Sequence, residues 1–278
     1  MIQKSYGESE FGKLYLVPTP IGNLDDITNR GIKTLEMCDI VYAEDTRETL
    51  KLLKTLNISK RVESCHKYTE MTHKDKIINT LKSGKNIAYV TDRGTPLISD
   101  PGNVIVDYAI QEGITVISLP GANALLPAIN MSGLSNRRFL FYGFLESKKS
   151  IAKKELIDLK EVKHTIIFYE SPHRLKNTLE LMLEVLGNRK IAIVREISKM
   201  YEEVIRMNIE DAIKECDRIK GEIVLVVDGS TETEDNNNYE ELIKNLINKG
   251  YSKRDAIKEI AERYNISKNK LYNEFKGE

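Results

Sequence analysis

Short runs of aliphatic and aromatic residues alternate with helical patterns along the first half of the chain, and this alternation restricts the possible folds most strongly. The runs occupy residues 14–17, 40–43, 87–90 and 115–118, and helical patterns cover residues 47–56 and 74–82. Continuous apolar runs of this length are typical of parallel strands buried on both faces. Strands that alternate with helices build a parallel sheet. The sequence therefore predicts an α/β domain over residues 1–122.

A second series of strand patterns begins near residue 139 and predicts a second α/β domain over residues 123–230. Its apolar runs are residues 139–143, 165–169, 191–194 and 222–227, with a helix expected over 172–186. Residues 202–207 alternate polar and apolar side chains, which indicates a strand at an edge or in an antiparallel pair. We therefore expect a mixed sheet in the second domain.

The end of the chain has a different composition. Residues 231–239 are polar and of low complexity, which predicts a linker before a helical extension over residues 240–278. Ser252 and Asp255 fit a capping box, and the next apolar residues form one helical stripe: Ala256, Ile257, Ile260, Ala261 and Tyr264. A second short helix is expected from Ser267. The pair resembles a helix-turn-helix, or it docks on its own domain or on a partner subunit.

The charge balance excludes a protein that binds nucleic acid through a strong overall positive field. The 278 residues include 42 Lys plus Arg and 42 Asp plus Glu, so the net charge is zero. The balance is nevertheless uneven along the chain. Residues 46–85 carry ten basic and four acidic side chains, and residues 137–163 carry eight and four. Local binding of one RNA site remains compatible with this pattern.

Other features bear on the compartment and on metals. The apolar runs are far shorter than the roughly 20 residues of a membrane span, and no apolar segment follows Lys4 as in a secretory signal, so a cytoplasmic protein is expected. The three cysteines are widely spaced, which favours reduced thiols over disulfides. Cys65, His66 and His73 lack the paired spacing of a structural zinc site, and we expect no metal.

Three loops rich in proline and glycine follow predicted strands and are candidates for a ligand site. They lie within residues 16–27, 90–102 and 119–124. In open α/β sheets, ligands bind beyond the carboxyl ends of the strands. Each loop alone is equally compatible with a rigid turn, but three together favour a small-molecule pocket. Neither a dinucleotide-binding glycine motif nor a P-loop is present, so the pocket is of another kind.

Several long motifs occur in the order of one known family. They read PTPIGNL at 18–24, AEDTR at 43–47, GTPLISDPG at 94–102, FYESPHR at 168–174, REI at 195–197 and GEIVLV at 221–226. With them the chain resembles the tetrapyrrole methylase superfamily of S-adenosylmethionine enzymes. Within it, the resemblance is to the branch that methylates the ribose 2′-O of a cytidine in 16S rRNA.

The resemblance implies two α/β domains with S-adenosylmethionine in the cleft between them, a homodimer and no metal. It places the cofactor against Pro20, Gly22, Asp92, Gly94, Thr95, Pro96, Leu97, Ile98, Ser99, Gly121, Ala122, Asn123, Ala124 and Tyr169. The chain departs from the family at two of the expected cofactor loops. Arg93 stands where a small alanine is usual, and Asn123 where serine or threonine is common.

Methyl transfer from a sulfonium is an in-line displacement, so the protein chiefly aligns donor and acceptor. A ribose hydroxyl is a poor nucleophile, and a positioned base or a cation beside the developing alkoxide would help. The candidate catalytic residues are Glu44, Asp45, Glu170 and Arg195. Asp45 is equally typical of a helix cap, and Arg195 could form an ion pair with Glu196.

An RNA substrate requires cationic contacts to phosphate. The candidates are Arg47, Arg137, Arg138, Lys148, Lys149, His173 and Arg174. Ordinary solvated surface is the alternative interpretation of these charges. Two other functions stay open from the residues: methylation of a tetrapyrrole or a protein side chain by the same fold, or a non-catalytic ribosome-binding factor.

Overall fold

The computed structural model describes residues 2–7, 9–66, 69–230 and 239–264, together with Lys268, Leu271, Tyr272 and Phe275. The chain divides into two units, Met1–Gly229 and Ser230–Glu278. The first unit holds two five-stranded sheets. Among the described residues, the helices are all too short or too polar to cross a membrane.

The first sheet is wholly parallel and has the strand order β3-β2-β4-β1-β5. Its strands are β1 (Leu14–Leu16), β2 (Ile40–Ala43), β3 (Arg61–Ser64), β4 (Ile87–Val90) and β5 (Val116–Ser118). The helices between and after them are α1 (Asn29–Met37), α2 (Thr46–Thr55), α3 (Glu70–Lys82) and α4 (Asn103–Gln111). The four predicted strands and the parallel sheet are confirmed.

Both faces of this sheet are covered, which explains the continuous apolar runs. Because side chains alternate along a strand, Ile40 and Tyr42 join the core on the side of α3 and α4, whereas Val41 and Ala43 join the core on the side of α1 and α2. The helices therefore flank the sheet, and its carboxyl edge stays open for loops.

The second sheet is mixed and has the strand order β6-β7-β10-β8-β9. Its strands are β6 (Phe139–Phe144), β7 (Thr165–Glu170), β8 (Lys190–Arg195), β9 (Glu203–Asn208) and β10 (Ile223–Val227). Only β6 and β7 pair in parallel, and β9 is an antiparallel edge strand, as its alternating sequence predicts. The helices here are α5 (Leu125–Ser132), α6 (Lys149–Leu159), α7 (Pro172–Leu186) and α8 (Ile209–Glu215). The strands of the first sheet all precede residue 122 and those of the second follow it, but the domain boundary itself remains a prediction.

One strand was not expected. The sequence predicts helices at residues 47–56 and 74–82 and no strand between them, but β3 lies there and pairs with β2 at the edge of the first sheet. Its sequence, Arg-Val-Glu-Ser, carries one aliphatic residue, and its side chains are exposed or half-buried. A strand that is held by backbone pairing on one side needs no apolar run, so its sequence gives no strand signal.

The second unit contains α9 (Tyr239–Asn248) and α10 (Lys253–Arg263). Ser252 accepts a hydrogen bond from the Asp255 amide, which confirms the predicted cap of α10. Ala256, Ile257, Ile260 and Ala261 are buried around Ile243 of α9. The predicted linker residues 231–238 and most of the helix expected from Ser267 lie outside the described residues.

Candidate active site

The three loops singled out in the sequence meet at the carboxyl edge of the first sheet. They follow β1, β4 and β5, which are neighbours in the sheet. Thr19 and Gly94 exchange two backbone hydrogen bonds of 2.9 Å, and the Thr95 hydroxyl donates to the Ala122 carbonyl at 3.0 Å. The segment after β2 joins them, because the Asp45 amide donates to Asp92 Oδ1 at 3.0 Å. Adjacent strand order thus turns three separate motifs into one surface.

A cavity of about 510 Å³ lies between these loops and the second sheet, and we refer to it as the first cavity. This volume suits a ligand of the size of a nucleoside cofactor. Its lining comprises Ile21, Glu44, Thr91, Asp92, Arg93, Gly94, Thr95, Ile98, Ser99, Asp100, Asn123, Ala124, Phe144, Tyr169, Glu170, Ser171, Pro172, Ile197, Gly221, Glu222, Ile223 and Val224.

One side of the first cavity is aromatic. Phe144 and Tyr169 line it, with their ring centroids 5.6 Å apart in an edge arrangement, and Phe141 packs on Tyr169 at 4.9 Å. Burial and the nearby Asp100 carboxyl raise the pKa of Tyr169 to about 12, so its phenol stays neutral at physiological pH. This wall offers apolar contact for a flat heterocycle.

Another part of the lining is acidic. Glu44, Asp92 and Asp100 come from the ends of β2 and β4 and line the same cavity. Burial raises the pKa of Glu44, and the carboxylates of Asp92 and Asp100 raise it further. Burial likewise raises the pKa of Asp100. Carboxylates in such a setting favour a ligand that carries positive charge.

The cofactor residues expected from the sequence divide into three groups. Those that line the first cavity are Asp92, Gly94, Thr95, Ile98, Ser99, Asn123, Ala124 and Tyr169. Pro20 and Gly22 line a neighbouring cavity instead. Pro96, Leu97, Gly121 and Ala122 line neither: Leu97 packs against the core of the first sheet, and a Cβ at residue 121 would lie 2.7 Å from Pro18.

Sequence reasoning named Tyr169 and Glu170 of β7 but missed the other residues that the second sheet contributes to the first cavity. Ile197 and residues 221–224 line it from the loop after β8 and from the start of β10. The REI and GEIVLV motifs were the available signal. Nothing in the local sequence says, however, that these segments face the loops of the first sheet.

Three of the four candidate catalytic residues are engaged elsewhere. Asp45 caps α2 and pairs with Arg47 at 2.7 Å, and hydrogen bonds from Arg47 lower its pKa to about 2. Glu170 is buried, and its oxygens accept from Thr178 Oγ1 at 2.5 Å and the Ser171 amide at 2.7 Å. Arg195 lines neither cavity; it donates to the Lys220 carbonyl and pairs with Glu203. Of the four, Glu44 and Glu170 line the first cavity, and burial raises the pKa of Glu44.

The residues expected to contact RNA lie outside both cavities. Arg47, Arg137, Arg138, Lys148, Lys149 and His173 are exposed. Arg174 is half-buried and donates to the Leu145 carbonyl at 2.7 Å, which holds its guanidinium against the loop after β6. The positions of these residues therefore do not indicate where an RNA strand would bind relative to the two cavities.

A second cavity, of about 450 Å³, shares Ile21, Thr91, Asp92 and Arg93 with the first. The rest of its lining is Thr19, Pro20, Gly22, Leu24, Glu48, Thr49, Lys51, Leu52, Thr55 and Lys199. A Cβ at residue 22 would clash with the Lys199 side chain, so glycine lets the two segments approach closely.

Ionic contacts join the two sheets beside these cavities. Arg93 pairs with Glu222, and Lys199 contacts Glu222 at 3.1 Å and Glu196 at 2.9 Å. The arginine that replaces the usual alanine thus reaches across the cleft. The Asn123 side chain accepts a hydrogen bond from the Leu126 amide in the first turn of α5 at 3.0 Å.

Comparison with known proteins defines the family. The sequence profile described as Tetrapyrrole (Corrin/Porphyrin) Methylases matches residues 13–213. The chain belongs to the tetrapyrrole methylase family. It is therefore a methyltransferase that uses S-adenosylmethionine.

Three relatives of this tetrapyrrole methylase carry the name ribosomal RNA small subunit methyltransferase I. The protein from Bacillus subtilis (strain 168) is 47% identical, over 97% of this chain and 96% of its own. The protein from Halalkalibacterium halodurans is 43% identical, over 98% of this chain and 97% of its own. That from Vibrio cholerae is 40% identical, over 93% and 92%.

Solved structures of other proteins share the fold. Uroporphyrin-III-C-methyltransferase from Thermus thermophilus has a TM-score of 0.57 at 18% identity and covers 78% of this chain and 94% of its own. The methyltransferase CobJ has a TM-score of 0.60 at 16% identity and covers 79% of this chain and 95% of its own. Diphthine synthase has a TM-score of 0.60 at 15% identity, over 78% and 90%.

The residues of the first cavity fit the cofactor. S-adenosylmethionine joins an adenine, a ribose, a sulfonium and an amino acid. The aromatic side suits the adenine, and the carboxylates suit the sulfonium and the ammonium group. In the part of the chain that the structure describes, no cluster of three or more His, Cys, Asp or Glu side chains is arranged to hold a metal ion.

Proposed function

We propose that this methyltransferase transfers the methyl group of S-adenosylmethionine to the ribose 2′-O of a cytidine in 16S rRNA. The observation that carries the proposal is the sequence identity of 47%, over almost the whole chain, to a protein named ribosomal RNA small subunit methyltransferase I. The long motifs through which the chain resembles the cytidine 2′-O branch support the choice of atom. Ribosomal subunits are assembled in the bacterial cytoplasm, and the proposal assigns the enzyme to it.

The residues of the first cavity would bind the cofactor and exclude water from it. When bound, S-adenosylmethionine supplies an electrophilic methyl group on a positively charged sulfur. Asp92 and Asp100 would compensate its positive charges, and Phe144 and Tyr169 would cover its apolar part. Gly94 permits the loop after β4 to turn with a positive φ of 84° beside Ile21. These contacts align the donor, which is the main requirement of an in-line displacement.

We propose Glu44 as the general base. It would accept the proton of the 2′-hydroxyl as the oxygen attacks the methyl carbon and the carbon–sulfur bond breaks. Its raised pKa brings it closer to the operating pH, where a general base is most effective. Asp45 and Glu170 already accept hydrogen bonds that a base would have to give up, and the guanidinium of Arg195 stays protonated and cannot accept a proton.

Labelled S-adenosylmethionine tests the substrate. The enzyme is incubated separately with naked 16S rRNA, assembled small subunits, a tetrapyrrole and a protein extract without ribosomes, and any label is mapped to base, ribose or side chain. Label on one cytidine ribose is expected. Cofactor binding without label in either rRNA-containing sample would refute the proposal.

We also propose that the enzyme is a homodimer, as the family resemblance implies. The outer edge of β6 supports it. Phe139 and Leu140, neighbours on this edge strand, are 38% and 37% exposed.

A further inference from the structure

We infer that the second cavity holds the acceptor nucleotide of the RNA, with its phosphodiester against Lys51 and Arg93. This inference rests on the proposed function and adds to it the site of the substrate. None of the seven RNA contacts expected from the sequence lines this cavity, and Lys51 was not among them.

The position of the second cavity is the first argument. It shares Ile21, Thr91, Asp92 and Arg93 with the first cavity, so a group bound in one lies beside a group bound in the other. An in-line displacement requires that donor and acceptor lie side by side and reach each other directly. The volume of about 450 Å³ accommodates a nucleotide.

The two cavities differ in charge. The methyl donor carries a positive sulfonium and needs carboxylates nearby, whereas the acceptor RNA carries a negative phosphate and needs cations. Among the described lining residues, the first cavity has five carboxylates and one cation, Arg93. The second cavity, again among described residues, has three cations, Lys51, Arg93 and Lys199, and two carboxylates. A sulfonium therefore favours the first cavity and a phosphate the second.

The chemistry of RNA agrees with this division. The 3′-phosphate is attached to the carbon next to the one that carries the 2′-hydroxyl. A hydroxyl that points across the shared wall to the first cavity therefore leaves its phosphate inside the second. Pro20, Ile21 and Leu52 supply apolar surface for the ribose and base.

Two of the three cations are free to exchange partners. Lys51 pairs with Glu48 on the same helix at 2.6 Å, and the two side chains are 72% and 52% exposed. Arg93 and Glu222 are also more than half exposed. Such exposed pairs contribute little, so a phosphate can replace the carboxylate. Lys199 is mostly buried beside Glu196 and is better suited to hold the two segments together.

The test compares Lys51→Gln with Lys54→Gln. Both lysines are exposed on α2, but Lys54 lies outside the two cavities. Lys51→Arg is the conservative variant, because arginine retains the charge. For each full-length protein, kcat and KM are measured with undermethylated small subunits and with 16S rRNA at several salt concentrations. The dissociation constant of S-adenosylmethionine is measured by calorimetry.

We expect Lys51→Gln to raise the KM for rRNA about threefold to tenfold and to reduce the slope of its salt dependence by about one. The kcat and the cofactor affinity should stay unchanged, Lys54→Gln should resemble wild type, and Lys51→Arg should keep most of the affinity. Equal KM values and salt slopes for Lys51→Gln and Lys54→Gln would overturn the inference, as would a loss of cofactor affinity without a change in KM for RNA. If the wild type methylates no rRNA, the proposed function fails instead.

Discussion

Glu44 lines the first cavity and has a raised pKa, and these two properties seldom occur together in a residue whose role is only structural. It follows β2 directly, within the segment Ala-Glu-Asp-Thr-Arg, and lies beside Asp45 in the sequence, yet the two carboxyls have opposite environments. Hydrogen bonds from Arg47 lower the pKa of Asp45 to about 2, whereas burial and neighbouring carboxylates raise that of Glu44. Two adjacent acids whose pKa values are moved apart are a common arrangement for acid–base chemistry.

We expect Glu44→Gln to reduce kcat about a hundredfold and to leave the cofactor dissociation constant within about twofold, since a general base acts in the chemical step. In wild type, activity should fall as the pH decreases through the raised pKa, at a higher pH than for an ordinary glutamate. Asp45→Asn is the control, since it alters a helix cap and leaves the base intact. A kcat equal to that of wild type in Glu44→Gln would exclude this role.

The same substitution should stabilise the fold. Because the pKa of Glu44 is raised in the folded state, ionisation of this group costs stability at every pH above the usual glutamate range. Glutamine carries no charge there. We therefore expect a higher Tm for Glu44→Gln than for wild type at pH 7, with the difference disappearing at acid pH where both side chains are neutral. Thermal unfolding at a series of pH values measures this, and a constant or reversed difference would contradict it.

The loop after β4 depends on a backbone conformation that few residues adopt. Gly94 has φ 84° and exchanges backbone hydrogen bonds with Thr19, which join this loop to the one after β1. Leu97 and Ser99, further along, also have positive φ, at 71° and 67°. Backbone held in this way by surrounding contacts is common at functional sites.

We expect Gly94→Val to weaken S-adenosylmethionine binding at least tenfold, because a branched side chain is strained at positive φ and fills space beside Ile21. Gly113→Val is the matched control. Residue 113 has φ 74° with nothing within 4 Å of a Cβ, so it suffers the same backbone strain away from the site. Calorimetry should find a loss of affinity in Gly94→Val alone, and equal affinities in the two variants would show that the loop does not bind the cofactor.

For the complete chain, the open edge of the second sheet bears on assembly. If β6 forms the dimer contact, Leu140→Asp places a charge in an apolar interface and should convert a dimer into a monomer. Met37→Asp changes an apolar residue on α1 that is even more exposed, and it should leave the mass of the assembly unchanged. Light scattering coupled to gel filtration measures the mass, and a monomeric wild type would refute the homodimer.

The arrangement of the two sheets explains why one chain holds two cavities of opposite charge. Loops after β2 and β4 bring carboxylates, and the loop after β8 and the start of β10 bring apolar residues. Lys51 comes from α2, and Lys199 comes from the loop after β8. Arg93 and Glu222 connect the two halves across this cleft. The charge of each cavity, and hence the ligand that it favours, therefore depends on how the two halves face each other.

The sequence alone determined the elements that have a local periodicity. Buried strands such as β2 and β4, the helix α7 with its Pro172 start and the Ser252 cap could be predicted, because apolar spacing and capping are properties of neighbouring residues. The family motifs also indicated which loops to examine. The edge strand β3 could not be predicted, since backbone pairing with β2 forms it and its side chains carry no signal.

Only the tertiary structure decided which residues share a site. Sheet order brings the loops after β4, β1 and β5 together, and it distinguishes Glu44 in the cavity from Asp45 in a helix cap one residue away. It also brings Lys51 and Lys199 to one cavity from positions 148 residues apart in the sequence. The physical reason is that strand pairing and long-range packing set these distances, and local sequence patterns carry no information about either.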